Sequence, residues 1–373
     1  MRLVVLGLTL SSSWGNGHAT TFRALLSAFA ARGHEVLFLE RDKPWYAENR
    51  DLPAPDFADL RYYCDLAELE GWRAEIARAD AVMVGSYVPE GVEVGRFVQR
   101  HARGVSCFYD IDTPVTLVKL ARGDFEYLSP ELIPGYDVYF SFTGGPTLAR
   151  IEQMFGSPAA RALYCSVDAD RYAPLPVPKR WDLSYLGTYS DDRQPTLERL
   201  LLDVARACPQ RRFAVAGPQY PVGIDWPANV DRIEHLSPAD HAAFYSASRF
   251  TLNVTRADMI AAGWSPSVRL FEAGACATPI ISDRWDGIAD LFTPGKEIIL
   301  ADTAAEVIAA LSTDSAAMGE RARATVLAGH TARHRAAQLE RALLQHQPAV
   351  RPDMPETSCA PLVMDLRLGA SGG

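Results

Sequence analysis

Short apolar, β-rich runs alternate with amphipathic stretches along most of this chain, the pattern of parallel strands flanked by helices. In the first half the runs are Leu3–Leu10, Glu35–Leu39, Ala81–Val84, Val105–Tyr109, Val138–Phe142 and Leu163–Val167. Between them the periodicity predicts helices over Ala19–Ala31, Leu66–Ala79 and Glu93–Arg103, with Gly33 placed to end the first. A Pro-rich stretch, Pro174–Lys179, then interrupts the alternation. A second series follows, with strands expected at Leu183–Leu186, Phe213–Ala216, Val230–His235, Phe250–Val254, Pro279–Ser282 and Glu297–Leu300. Residues 315–345 read as one or two Ala- and Arg-rich helices.

This organisation predicts an α/β chain in which one doubly wound architecture is used twice. The expected divisions are a Rossmann-like domain over 1–172 and a second over 173–314. Helices over 315–346 would follow, then a tail over 347–373 rich in Pro, Ser and Gly that is expected to be disordered. A length of 373 residues suits two domains.

Composition narrows the functional classes. A formal net charge of −9, with no basic stripe, argues against a general nucleic-acid surface. The six cysteines are scattered without a C-x-x-C pair, which predicts neither a zinc site nor a disulfide framework. Leu3–Leu10 leads into a glycine loop and reads as the first strand rather than a signal segment. No run of about 18 apolar residues is present, so no integral membrane segment is expected, and a cytoplasmic location is.

Ligands of open α/β sheets bind where carboxyl ends of strands lead into helices. After the first strand comes Ser11–Thr21, in which Gly15 and Gly17 let backbone approach a ligand and His18 opens a helix. His18 could serve as a general base or merely contact the helix start. Asp110 and Asp112 follow the Val105 strand. They could hold sugar hydroxyls or a metal, act as a base, or cap the helix that continues through Pro114. Ser141–Pro146 repeats the strand-end glycine pattern. In the second half Gly187 and Thr188 could approach a phosphate, with Arg193 as its cation.

The richest segment is Gly263–Asp283. Ser265 before Pro266 reads as an N-cap, so the first-turn amides of that helix, with Arg269, form an anion site suited to a diphosphate. Glu272, further along the same helix, could accept hydrogen bonds from a ribose diol. The plainer alternative is a buried helix packed on its sheet.

Four phrases, Ser12–Thr21, Phe108–Pro114, Ser141–Pro146 and Ser265–Glu272, resemble the group 1 glycosyltransferases of the GT-B fold, most closely the spore-maturation, CgeB-like branch. The resemblance implies two Rossmann-like domains facing across a cleft, with the acceptor on the first and the donor on the second. A C-terminal helix would cross back to the first domain. It implies an enzyme that moves a sugar from a UDP- or TDP-sugar to an acceptor hydroxyl, independent of metal and of any cofactor beyond that donor. The acceptor is unidentified and could be a glycan, a small molecule or a protein. Carried over by position, Glu272 would bind the donor ribose, Ser267 and Val268 the diphosphate, and Arg193 would be the basic residue after the first strand of that domain. Where retaining relatives carry a second acidic residue, eight positions before the ribose carboxylate, this chain has Trp264. Inversion, with His18, Asp110 or Asp112 as base, then becomes admissible. A nucleotide-sugar 2-epimerase, or a degenerate protein that binds a glycan or a partner, are the competing readings.

Overall fold

The computed structural model describes residues 1–14 and 17–346. The expected tail over 347–373 lies outside the described residues, as does Gly15 of the first glycine loop.

The first sheet comprises β1 (Arg2–Gly7), β2 (Glu35–Arg41), β3 (Asp59–Tyr63), β4 (Ala81–Gly85), β5 (Val105–Asp110), β6 (Val138–Ser141) and β7 (Ala160–Ala162). Its strand order is β3-β2-β1-β4-β5-β6-β7, and every pairing is parallel. The second sheet comprises β8 (Trp181–Leu186), β9 (Phe213–Ala216), β10 (Val230–Ile233), β11 (Ser248–Asn253), β12 (Ile280–Ser282) and β13 (Ile298–Leu300). Its order is β10-β9-β8-β11-β12-β13, again wholly parallel.

All-parallel sheets need cover on both faces, which is why their strands read as continuous apolar runs. Leu3, Val4, Val5 and Leu6 of β1 are all fully buried. Leu3 and Val5 face one apolar cluster, with Phe22, Leu25, Leu26 and Phe29 of the helix His18–Ala30. Val4 and Leu6 face another, with Val94, Phe97 and Val98 of the helix Gly91–His101. Each fully buried side chain of this size contributes about 1.5–3 kcal/mol. The second sheet is sandwiched in the same way.

Several boundaries differ from the sequence reading. β3 escaped it because Asp59–Tyr63 is an edge strand whose exposed and half-exposed positions leave no apolar run. The expected strand Leu163–Val167 is displaced: the ladder is Ala160–Ala162, and Val167 instead makes an isolated parallel bridge to Thr331. The single helix expected over Leu66–Ala79 is broken at Gly71 and Trp72 into Leu66–Glu70 and Arg73–Arg78.

At the C-terminus the helix Ala316–Gly329 packs on the helix Val268–Ala275, where a Cβ on Gly274 would lie 2.7 Å from Val326. The helix Ala332–Gln345 then returns to the first domain. Its Ala336, Leu339, Ala342 and Leu343 join the core of that domain, and Glu340 pairs with Arg32 and His34. Strand order reverses beside β1 in one sheet and beside β8 in the other, and it is at the carboxyl edges of such reversals that open α/β sheets in general bind ligands.

Candidate active site

On the second domain the helix Val268–Ala275 starts at the carboxyl edge, with Ser267 as its cap residue. This corrects the expectation for Ser265. Ser265 is buried and its hydroxyl bonds Thr143 of the first domain, so the helix opens two residues later than the Ser-Pro pair implies. Ser267 does not cap the helix through its side chain. Its hydroxyl donates to Asn253 Oδ1 at 2.7 Å, at the end of β11.

Arg269 is held by the same asparagine: its Nη1 donates to Asn253 Oδ1 at 3.0 Å and its Nε to the Leu186 carbonyl at 2.6 Å. Its guanidinium lies over the Tyr185 ring, 4.7 Å from the centroid. A Cβ on Gly187 would stand 2.6 Å from the Tyr185 hydroxyl and 2.8 Å from Arg269 Nη2. A larger residue there would displace the tip of Arg269 or the Tyr185 ring. Thr188 is exposed, and its carbonyl accepts from Arg193 Nη2 at 2.8 Å, which folds Arg193 back over the loop after β8.

Glu272 is also nearly enclosed. Its Oε2 accepts from the Tyr245 hydroxyl at 3.1 Å and lies 3.9 Å from His241 Nδ1. Tyr172 bonds the same His241 nitrogen at 3.1 Å. Asn253, Tyr245 and His241 therefore position the arginine and the carboxylate that the sequence singled out, although no sequence motif marks them.

On the first domain the helix His18–Ala30 begins at the carboxyl edge of β1. Gly17 caps it without a side-chain bond, and a Cβ there would meet nothing within 4 Å, so its freedom is not used against the protein itself. Glu40, at the end of β2, is fully buried and went unmarked in the sequence. It accepts from the amides of Leu10 and Ser11 at 2.6 and 2.9 Å and from the Ser11 hydroxyl at 2.6 Å, which pins the loop before His18. Burial lowers the His18 imidazole to about 4, so it is neutral at neutral pH. Its ring meets Tyr87 edge-on, 5.2 Å between centroids, and the Tyr87 hydroxyl donates to Asp112 Oδ2 at 3.2 Å.

Asp110 and Asp112 have different surroundings. Asp110 is wholly buried and accepts from the Tyr139 hydroxyl at 2.5 Å and the Thr116 hydroxyl at 2.7 Å. Burial raises its carboxyl to about 6. The expectation that it could act as a base is overturned: it is enclosed by its own domain and ties β5 to β6 and to the helix Thr113–Ala121. Asp112 caps that helix without a side-chain bond to it, and its carboxylate faces the second domain, 3.5 Å from Arg256 Nη1. Burial raises the Asp112 carboxyl above its ordinary range, opposed by the Arg256 charge.

The two domains also meet through Trp264. Its backbone is in the left-handed region at φ 43°, its amide donates to the Asp286 carbonyl at 2.6 Å, and its carbonyl accepts from the Gly144 amide at 3.0 Å. The indole packs against Gly145 of the first domain and Gly287 of the second, where added Cβ atoms would come within 2.4 Å of the ring. Its Nε1 donates to Asp290 Oδ2 at 2.7 Å. Among the described residues no cluster of three or more His, Cys, Asp or Glu side chains forms a metal-binding group. Among them, too, no helix is long and apolar enough to cross a membrane.

Residues 193–341 match the family described as glycosyl transferase-like. The whole fold is similar to that of a sucrose-phosphate synthase from Thermosynechococcus elongatus, with a TM-score of 0.67 and 15% identity over 92% of this chain and 99% of that one. It is equally similar to Anabaena HepE in complex with UDP-glucose: TM-score 0.67, 12% identity, 92% of this chain and 100% of that one. AviGT4, a glycosyltransferase involved in avilamycin A biosynthesis, gives 0.60 at 14% identity over 92% and 97%. No curated protein matches the chain by sequence. The fold is the GT-B fold.

Proposed function

We propose that this chain is a group 1 glycosyltransferase, allied to the CgeB-like branch, that moves a sugar from a nucleoside-diphosphate sugar to an acceptor hydroxyl. The observation that carries this reading is the cluster at the start of the helix Val268–Ala275. There Asn253 fixes both Ser267 and Arg269, and Glu272 is held on the same helix by Tyr245. UDP-glucose and UDP are bound by a protein of the same fold.

In this reading the diphosphate sits against the amides of the helix start, with Arg269 and Arg193 as its cations, and Glu272 accepts from the ribose diol. The carbon–oxygen bond between sugar and diphosphate breaks, and its electron pair leaves on the diphosphate. Those cations stabilise the departing charge without an obligatory metal. The acceptor oxygen bonds to the sugar carbon and gives its proton to a base on the first domain. Asp112 suits that role because its carboxylate faces the second domain, whereas Asp110 is sealed away. With Trp264 where retaining relatives carry an acidic residue, the expected course is inversion.

A thermal-shift series with UDP, TDP, ADP and GDP tests the assignment. At least one should stabilise the protein, and Glu272→Ala should weaken that ligand about tenfold or more, the loss of hydrogen bonds to a charged acceptor. A protein stabilised by none of the four would refute the proposal.

A further inference from the structure

Arg256 lies three residues beyond the end of β11, just before the helix Ala257–Ala262, and nothing in the sequence pattern singles it out. Its guanidinium reaches from the second domain to the first. Nη1 is 3.5 Å from Asp112 Oδ2, and Nε is 3.7 Å from Asp192 Oδ2. Asp192 is itself anchored, accepting from the Ala257 amide at 3.0 Å and from the Ser190 hydroxyl. Arg256 Nε is enclosed and makes no hydrogen bond. Arg256 therefore has charge partners but poor hydrogen-bond geometry, an arrangement that holds a guanidinium weakly.

Its place in the fold gives this meaning. Arg256 belongs to the strand-end loop that begins at Asn253, the residue that fixes Arg269 and Ser267. Asp192 precedes Arg193 on the neighbouring loop. Arg193, Arg256 and Arg269 thus all stand at the carboxyl edge of the second sheet. The partner of Arg256 across the domain boundary is the carboxylate assigned above as base.

We infer that Arg256 is a third cation for the donor diphosphate, and that it exchanges its pairing with Asp112 for the phosphate oxygens when the donor binds. The inference rests on the proposed transferase reading. A diphosphate offers the guanidinium two parallel hydrogen bonds and more negative charge than one carboxylate. The exchange frees Asp112 from the cation that suppresses its basicity, so the base becomes competent only with donor in place. Arg256 does not touch the reacting atoms in this scheme when it pairs with Asp112; it acts on the base by leaving it.

Calorimetric titration with UDP, or with whichever diphosphate stabilises the protein best, separates this from a simple clip between domains. Asp112→Asn removes one of the two carboxylates that compete for Arg256, the one across the domain boundary, and should tighten binding by about threefold, the scale of a weak, partly exposed ion pair. Arg256→Ala should weaken binding about tenfold or more. In the Arg256→Ala background, Asp112→Asn should change binding by less than the scatter of the titration. If Arg256 is only a clip, Asp112→Asn weakens binding or leaves it unaltered when Arg256 is present, and that result overturns the inference while the transferase reading stands. A parent protein that binds no nucleoside diphosphate overturns the reading beneath it. If Arg256→Ala folds poorly, Arg256→Gln keeps most of the side-chain volume without the charge and gives the same contrast.

Discussion

Gly187→Ala is a small perturbation aimed at the centre of the proposed donor site. The added methyl would stand 2.8 Å from Arg269 Nη2 and 2.6 Å from the Tyr185 hydroxyl. Ordinary carbon contacts need about 3.5 Å, so the tip of Arg269 must withdraw by roughly 0.7 Å. The Tyr185 ring is buried and yields less easily, which costs about 1–3 kcal/mol of stability through overpacking. A charge-assisted bond from Arg269 to phosphate near 2.8 Å would stretch to about 3.5 Å, beyond useful hydrogen-bond range. Losing one such bond costs about 1.5–3 kcal/mol, or roughly 10- to 150-fold in diphosphate affinity. Calorimetry with UDP measures that loss directly, and a thermal melt reports the stability cost separately. Diphosphate affinity within twofold of the parent, in a variant that melts as a folded protein, would refute the placement of the phosphate at Arg269.

Two further outcomes follow from groups away from the phosphates. The Asp110 carboxyl is raised by burial from its ordinary 3.8 to about 6, so the folded chain keeps a proton there that the unfolded chain has released. That contribution is whole below about pH 4 and is lost as pH rises through 6, a swing of up to about 3 kcal/mol. Asp110→Asn should remove it, so urea unfolding of the variant should gain stability relative to the parent between pH 4 and 7; parallel pH profiles would contradict the burial argument. Trp264→Ala takes the indole from between Gly145 and Gly287 and its donor from Asp290, and should raise hydrogen exchange at the Gly144 amide by about tenfold or more. Unchanged protection there would show that Trp264 does not tie the domains.

The double α/β architecture was legible because buried parallel strands must be apolar on both faces, and Leu3–Leu6 or Ala81–Val84 advertise that directly. β3 was not legible, since an edge strand with exposed Asp59 and Arg61 carries no such mark. The arginine and glutamate of the helix Val268–Ala275 stood out as charges among apolar neighbours. Their holders did not, because Asn253, Tyr245 and His241 come from elements separated in sequence and meet Arg269 and Glu272 only after folding. Ser265 misled for a related reason: Ser-Pro is a good local start signal, but its hydroxyl is spent on Thr143 across the domain boundary. The pair of aspartates after β5 shows the limit most clearly. Spacing alone gave Asp110 and Asp112 equal standing, and only the surrounding packing sends one inward to Tyr139 and Thr116 and the other toward Arg256.

The return of the helix Ala332–Gln345 to the first domain has a consequence for how the protein is made. Ala336, Leu339, Ala342 and Leu343 complete an apolar layer begun by Leu3, Leu26 and Phe29, so the first domain lacks part of its own interior until the helix Ala332–Gln345 has been synthesised. During that interval its apolar surface is open to solvent and to chaperones. Nascent chains cut short before residue 332 should therefore be sticky rather than merely inactive, with the lesion showing in the amino-terminal half.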